Sequence, residues 1–169
     1  AGASVVTAGA GESTCSVAMV PLAPDVSVSW LLHRSIAAEA LEGRLTWTGM
    51  RSDMPALMAA ADVVTLTSDN EGTPVSLIEA HAAGRPVVSS GVGGVSSVVV
   101  DAATGFIVPR GDEEAFADRV TTLLQDVALA RRFGRTGRDH VVGRFGLDRL
   151  VRDVDRLYRG LLAEVRTAR

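Results

Sequence analysis

Two glutamates, Glu71 and Glu79, enclose a short segment whose residue types predict the start of a helix. Thr73 suits the N-cap, and Pro74 suits the first helical position, where its missing N–H is not needed. The free N–H groups of the next residues and the helix dipole favour a bound anion. With a rise of about 1.5 Å per residue, Glu79 lies roughly 8 Å further along the axis than Pro74. A ligand with phosphates at the helix start therefore meets a carboxylate at each end of the segment.

The residues on either side fix the position of this helix. A β-branched run over residues 63–67 predicts a buried strand that ends at turn formers, and Gly84 predicts a left-handed stop. The helix then spans about residues 74–83 with almost no polar face, so we expect it to be buried. Glu79 is the exception, since a buried carboxylate needs a protein donor or a ligand hydroxyl as its partner. Phosphates at one end and hydroxyls at the other are the groups of a nucleotide sugar.

At these residues the chain resembles the Glu-x7-Glu motif of retaining glycosyltransferases of the two-domain GT-B fold, of the family 4 type. The resemblance covers about residues 45–145. The positions that fall in the family's pattern are Glu71, Gly72, Pro74, Leu77, Ile78, Glu79, Ala80, Ala83, Gly84, Pro86, Val87, Val88, Gly93, Gly94, Gly105, Pro109 and Asp112.

The resemblance implies a role for each part of the motif. Glu71 is the implied catalytic residue and contacts the donor sugar, while Glu79 binds the ribose hydroxyls. The donor sugar and its pyrophosphate are held by the backbone of Gly72, Thr73, Pro74, Val75 and Ser76. Gly93 and Gly94 allow the backbone to approach a phosphate closely, or simply to turn. Arg51 lies in a turn that faces the donor base in this family and is a candidate to stack on it; a solvated arginine is the alternative.

Strands that alternate with helices predict an α/β fold, with a parallel sheet covered by helices on both faces and ligands at the carboxyl ends of its strands. The expected strands are at residues 4–8, 45–48, 63–67, 87–89 and 106–108. The expected helices are at about 29–42, 54–61, 74–83, 113–127 after a cap at Asp112, 128–142, and from Leu147 onward. Residues 95–100 have strand propensity where the family places a short helix. The apolar residues of 13–28 fit neither the helical nor the strand period.

Composition limits the classes of partner. The 169 residues are enough for one domain, and a net charge of −3 argues against nucleic acid. One cysteine excludes an internal disulfide, and no Cys/His spacing suits zinc. We therefore expect no metal and no cofactor, with the nucleotide sugar as substrate. No apolar run is long enough for a transmembrane segment and no signal peptide is evident, so we expect a cytoplasmic protein.

The chain opens without a methionine, which suggests a fragment. We interpret residues 1–169 as a nucleotide-sugar-binding domain that lacks its first strand–helix unit and the N-terminal acceptor domain. The family holds the pyrophosphate with an Arg and a Lys from that first unit, and all 17 basic residues here are arginine. This chain alone is thus expected to be inactive. The last helix has an apolar stripe that predicts a partner, either the missing N-terminal domain or another chain.

The resulting hypothesis is the donor-binding part of a retaining glycosyltransferase that transfers a hexose from a UDP- or GDP-sugar to an acceptor. Two alternatives stay open: a non-catalytic module that binds a nucleotide sugar, and a sugar-nucleotide epimerase of the same architecture. His81 is two residues beyond Glu79 and points to another helix face, so a packed or surface histidine is favoured over a base.

Overall fold

The computed structural model of the chain describes the backbone of residues 3–8, 16–21, 45–47 and 52–167, and the side chains of residues 52–165. Over these ranges the strands are β1 (Ala3–Ala8), β2 (Ser16–Pro21), β3 (Leu45–Trp47), β4 (Val63–Leu66), β5 (Val87–Ser90) and β6 (Gly105–Val108). The helices are α1 (Met54–Ala60), α2 (Val75–Ala82), α3 (Glu113–Gln125), α4 (Val127–Phe145) and α5 (Leu147–Thr167), with a 3₁₀ helix at Gly93–Ser97. The predicted helix at 29–42 lies outside the described residues.

The described strands form one sheet in the order β3-β2-β1-β4-β5-β6. The predicted α/β class is confirmed, and β4, β5 and β6 are parallel, with Leu66 paired to Ser89 and Ser89 paired to Ile107. β1 departs from the predicted parallel sheet, because it runs antiparallel to both β2 and β4. The connection over residues 9–15 is too short for a parallel crossover, which needs about a dozen residues or more. Strands β1 and β2 can therefore pair only as antiparallel neighbours.

Helices cover both faces of the parallel strands, as predicted. Val64 and Leu66 of β4 belong to a buried cluster that includes residues of α1 and α2. Val63 belongs to a second cluster, which includes Leu123 of α3 and Phe133 of α4. Successive side chains of a strand point to opposite faces, so each cluster lies on its own side of the sheet. This explains why every residue of β4 and of β5 is buried.

The end of α2 is confirmed at the predicted glycine. Gly84 has a φ of +73°, in the left-handed region that glycine adopts without strain. Its N–H donates to the carbonyl of His81 at 2.8 Å, and the N–H of Arg85 donates to the carbonyl of Ala80 at 2.9 Å. These two bonds are the Schellman motif, which turns the chain directly towards β5.

The start of α2 differs from the prediction by one residue. Pro74 is the N-cap and not the first helical residue, with an extended ψ of 91°, and its carbonyl accepts from the N–H groups of Leu77 and Ile78. Thr73 therefore lies one residue too early to cap the helix, and no side chain caps it. The prediction of a fully buried helix was also wrong. Leu77 and Ala80 are buried, but Val75 is 59% exposed, because α2 covers the sheet with one face only.

Hydrogen bonds explain the outcome of two other local predictions, of which one is confirmed and one is overridden. Asp112 caps α3 as predicted, since its carboxylate accepts from the N–H of Ala115 at 3.0 Å. The strand propensity of residues 95–100 is overridden by the 3₁₀ helix over Gly93–Ser97. There the N–H groups of Val98 and Val99 both donate to the carbonyl of Val95, at 3.0 and 2.9 Å, so the backbone curls and cannot extend.

The apolar stripe predicted on the last helix, α5, is exposed in this chain. Leu150, Leu157 and Leu161 are 59%, 61% and 49% exposed. Among the described residues, no helix combines the length and the apolar character that crossing a membrane requires.

His81 is a packed side chain at the contact between α2 and α4. Its exposure is 0%, and a Cβ on Gly137 of α4 would lie 2.4 Å from the ring nitrogen Nδ1. Nδ1 lies 3.2 Å from the carbonyl oxygen of Arg85, while Nε2 finds no hydrogen-bond partner in the described part of the chain. Burial lowers the pKa of His81 from 6.5 to about 4, with a smaller contribution from His140, against the raising effect of the Arg85 carbonyl.

This lowered pKa predicts loss of stability in acid. Between the two pKa values the unfolded chain binds a proton at this position and the folded chain does not, so stability falls as the pH drops from 6.5 towards 4. We expect the free energy of unfolding to fall by about 2 kcal/mol between about pH 7.5 and about pH 5 through this group alone. Urea unfolding of the unchanged chain and of His81→Gln at both pH values measures the effect. His140→Gln serves as the control that should retain most of the effect, since burial is its main cause, and equal pH dependence in all three proteins would contradict the assignment.

Candidate functional site

The candidate site is built where three parallel strands end. Because β4, β5 and β6 run in the same direction, their carboxyl ends meet at one edge of the sheet, which is where ligands bind in such folds. The connections that leave this edge are residues 67–74 after β4, residues 91–92 after β5, and residues 109–112 after β6. The first carries the predicted motif and the second carries the predicted glycines.

The structure brings the motif turn and the glycine turn into direct backbone contact. The N–H of Gly94 donates to the carbonyl of Glu71 at 3.0 Å. A Cβ built on Gly93 would lie 1.8 Å from the carbonyl oxygen of Glu71, and one on Gly94 would lie 1.8 Å from that of Gly72. Gly93 also has a positive φ of +47°. Glycine is therefore required at both positions for the two turns to approach this closely.

Glu71 is held in place at the end of β4. Its side chain is half-buried and accepts a hydrogen bond of 2.5 Å from the hydroxyl of Ser68, which is itself 2% exposed. Because Ser68 is buried at the strand end, this bond positions the carboxylate relative to the sheet. The carboxylate of Glu71 has a second oxygen, which can accept a hydrogen bond from a ligand hydroxyl.

The helix start supplies amide donors between the two glutamates. The intrahelical bonds begin with the N–H of Leu77, so the N–H groups of Val75 and Ser76 have no partner within α2. Gly72 and Thr73 are exposed, which leaves the backbone before the helix accessible. The arrangement of a helix start with free amides favours an anionic group there.

Glu79 lies on the exposed side of α2, and the expectation of a buried carboxylate was wrong for this residue. Its position follows from the spacing, since α2 buries Leu77, Ala80 and His81 and thereby turns residue 79 outward. An exposed carboxylate on this side can accept hydrogen bonds from ligand hydroxyls without the desolvation cost of a buried one. Arg51, the candidate for stacking on a base, lies outside the described residues.

Sequence analysis missed an ion pair that links two of the strand ends. Arg110, after β6, donates from Nε to the carboxylate of Asp69, after β4, at 2.8 Å. The two residues are 41 positions apart, and Asp69 is one of the turn formers that follow the predicted strand at 63–67. The fold alone brings them together, so no local spacing signals the pair.

A cavity of about 450 Å³ lies beside this ion pair at the same edge of the sheet. Ser90 of β5 and Phe116 of α3 line it, together with Asp69 and Arg110. Neither Glu71 nor Glu79 lines it. The cavity is lined by Phe116 and Ala117 of α3, which packs on one face of the sheet, whereas the motif leads into α2 on the other face.

Comparison with known proteins identifies the chain's relatives. The sequence profile described as "Glycosyl transferases group 1" matches residues 23–126, which is more than half of the chain. An N-acetyl-alpha-D-glucosaminyl L-malate synthase of Bacillus anthracis is 30% identical over 124 residues, which cover 73% of this chain and 32% of that protein. A D-inositol 3-phosphate glycosyltransferase of Salinispora tropica is 37% identical over 115 residues, or 68% of this chain and 24% of that protein.

Solved structures agree with this family. HepE of Anabaena in complex with UDP and glucose is 27% identical with a TM-score of 0.75, over 79% of this chain and 36% of that chain. Sucrose-phosphate synthase of Thermosynechococcus elongatus is 32% identical with a TM-score of 0.76, over 85% of this chain and 37% of that chain. The structural neighbours are GT-B glycosyltransferases. The chain spans about a quarter to a third of the length of the curated relatives.

The contact between the two turns predicts a steric effect of substitution at Gly94. We expect Gly94→Ala to lower the free energy of unfolding by about 2 kcal/mol or more, because a backbone carbonyl occupies the position of the new methyl group. Gly143→Ala is the matched control, since nothing lies within 4 Å of its Cβ position and it lies within α4. That control should be about 0.5–1 kcal/mol more stable than the unchanged chain. Urea unfolding compares the three proteins, and an unaffected Gly94→Ala would show that the turns are not in contact.

Proposed function

We propose that this chain, which belongs to the Glycosyl transferases group 1 family, is the donor-binding domain of a retaining glycosyltransferase of the GT-B fold and the family 4 type. The observation that carries the proposal is the contact of the turn at Glu71 and Gly72 with the turn at Gly93 and Gly94. This contact places the glycine turn beside the connection that leads into α2, and Glu71 and Glu79 lie before and after the free amides of the helix start. Such a surface matches a ligand that has phosphates next to hydroxyl groups.

The donor is a hexose linked to UDP or GDP. HepE of Anabaena, which covers most of this chain, was solved with UDP and with UDP-glucose, and this supports a uridine nucleotide in particular. The free N–H groups at Val75 and Ser76 stabilise the diphosphate as it departs, since the partial positive charge of the helix start lies next to the developing negative charge. No metal is part of this proposal.

The two glutamates recognise different parts of the donor. Glu71, positioned by Ser68, binds the hydroxyls of the donor sugar and orients its anomeric carbon. Glu79, exposed about one turn beyond Val75 on α2, accepts from the ribose hydroxyls. In this division Glu71 is the catalytic residue, because it touches the sugar that is transferred, and Glu79 is a donor-binding residue.

The complete reaction also needs an acceptor-binding domain. The chain spans less than two thirds of its curated relatives, so we assign the main part of the acceptor site to an N-terminal domain or another chain that covers the apolar stripe of α5. By itself this chain binds the donor and does not transfer it. A cytoplasmic location, where nucleotide sugars are made, remains a prediction of the same proposal.

Calorimetry with UDP-glucose, GDP-mannose and the free diphosphates tests donor binding by the chain. An assay with a supplied N-terminal domain and an acceptor then tests transfer, with retention of the anomeric configuration expected. Binding without transfer under these conditions would favour a non-catalytic module. Release of UDP and an altered sugar in the absence of acceptor would favour an epimerase, and no binding of any nucleotide would refute the proposal.

Substitution of the two glutamates should separate their roles. Glu79→Ala is expected to weaken UDP and UDP-glucose binding alike, by about tenfold, because both ligands carry the ribose. Glu71→Ala should leave UDP binding nearly unchanged and weaken UDP-glucose binding by a similar factor. Calorimetry on both variants measures these ratios, with Glu164→Ala on the exposed surface of α5 as the control. Equal losses for UDP and UDP-glucose in both variants would contradict the division.

A further inference from the structure

The cavity at the ends of β4, β5 and β6 has no role in the donor site proposed above. Its volume of about 450 Å³ falls in the range of about 300–1,000 Å³ that is typical of small-molecule sites. It opens at the edge of the sheet where ligands of such folds bind. Its lining consists of Thr67, Asp69, Ser90, Pro109, Arg110, Gly111, Asp112, Glu113, Phe116 and Ala117.

The charges of the lining disfavour an anionic ligand. The lining contains three carboxylates, those of Asp69, Asp112 and Glu113, and one guanidinium, that of Arg110. The carboxylate of Asp112 also accepts from the N–H of Ala115, so it already takes one of the donors of the α3 start. A phosphate would meet repulsion here, because phosphate sites are built from clusters of arginine, lysine and free amides.

The polar groups that line the cavity include both donors and acceptors. Asp69 and Arg110 form one hydrogen bond of 2.8 Å, and their side chains are 80% and 63% exposed, so each keeps further capacity. Ser90 is only 9% exposed, and its hydroxyl can both donate and accept a hydrogen bond. A neutral ligand with several hydroxyls can donate to the carboxylate and the serine and accept from the guanidinium.

The rest of the lining is apolar. Phe116, half-buried on α3, contributes an aromatic ring, and Pro109 and Ala117 contribute aliphatic surface. A sugar ring has hydroxyls at its rim and C–H groups on its faces, so it can use the polar and the apolar parts of this lining together.

We propose that this cavity binds a neutral sugar ring of the acceptor. The assignment to the acceptor rests on the proposed function, in which Glu71 holds the donor sugar. Asp69 lines the cavity two residues before Glu71 in the same connection, so the two rings would lie on either side of one turn. The ion pair with Arg110 links that turn to the connection after β6, and both of its members line the cavity.

The test is an NMR titration of the whole chain with the methyl α-glycosides of glucose, mannose and N-acetylglucosamine, and with inorganic phosphate and UDP. The amide signals of Gly111 and Ala117 report on the cavity, and those of Gly72 and Ser76 report on the donor motif. We expect at least one glycoside to shift the cavity signals saturably, while phosphate does not. Ala117→Arg should weaken this binding by about tenfold or more, because the new side chain occupies the cavity. Ala128→Arg, exposed at the start of α4, is the matched control.

A second pair of variants tests the ion pair without filling the cavity. Arg110→Ala should weaken glycoside binding, whereas Arg159→Ala should not, although Arg159 forms a comparable exposed pair of 2.8 Å with Asp155. No cavity shift with any glycoside, a stronger shift with phosphate, or equal binding by Ala117→Arg would overturn the inference. Loss of the glycoside shifts at the cavity when UDP-glucose is added would overturn it as well, because the cavity would then hold the hexose of the donor.

The two proposals fail separately in this experiment. UDP shifts at Gly72 and Ser76 without glycoside shifts at the cavity would retain the donor site and reject the acceptor subsite. Glycoside shifts at the cavity without any UDP shift would refute the proposed function and, with it, the assignment of this ring to an acceptor.

Discussion

The close approach of two backbone turns is the constraint on which the candidate site depends. The carbonyls of Glu71 and Gly72 lie where side chains of residues 93 and 94 would begin, so the contact exists only because both residues are glycine. The hydrogen bond from Gly94 to Glu71 fixes the backbone of the motif at this point. The bond from Ser68 fixes the side chain of the same glutamate. A backbone held from one side and a carboxylate held from the other give a preorganised acceptor, which is what discrimination between similar ligands requires.

The parallel strands determine that these turns meet at all. Leu66 and Ser89 are paired in the ladder, so β4 and β5 end at nearly the same level and release their connections side by side. Helix α2 must then return the chain to β5 within a short distance. It does so through the left-handed Gly84, after which the carbonyl of Pro86 accepts from the N–H of Val64 at 3.0 Å. Arg85 adds a bond from its guanidinium to the carbonyl of Ala59, and this ties the return to α1. The rigidity of the motif is thus a property of the whole β4-α2-β5 unit.

Features with a local cause were predictable from the sequence, and features that depend on distant neighbours were not. Gly84 and Asp112 end and begin helices through bonds to residues three to five positions away, so their residue types alone were sufficient. The exposure of Glu79 depends on which side of α2 the sheet covers, and periodicity gave no sign of it because nearly every side chain of the helix is apolar. The Asp69–Arg110 pair joins two loops 41 positions apart. The glycines at 93 and 94 were singled out in the sequence, but their contact with the turn at Glu71 and Gly72 became evident only in three dimensions.

Helix α5 combines an exposed apolar stripe with stabilising interactions of its own. Its polar side carries the pairs Arg149–Asp153 and Arg159–Asp155, each spaced i to i+4. Exposed pairs of this kind contribute only about 0.3–0.5 kcal/mol each, but they act within the helix and need no neighbour. Asp148 in the first turn adds a favourable interaction with the helix dipole. The helix therefore has support of its own while Leu150, Leu157 and Leu161 remain exposed. A domain that covered this stripe, as proposed above, would meet an already helical apolar face, so its association would cost less conformational entropy than folding upon binding.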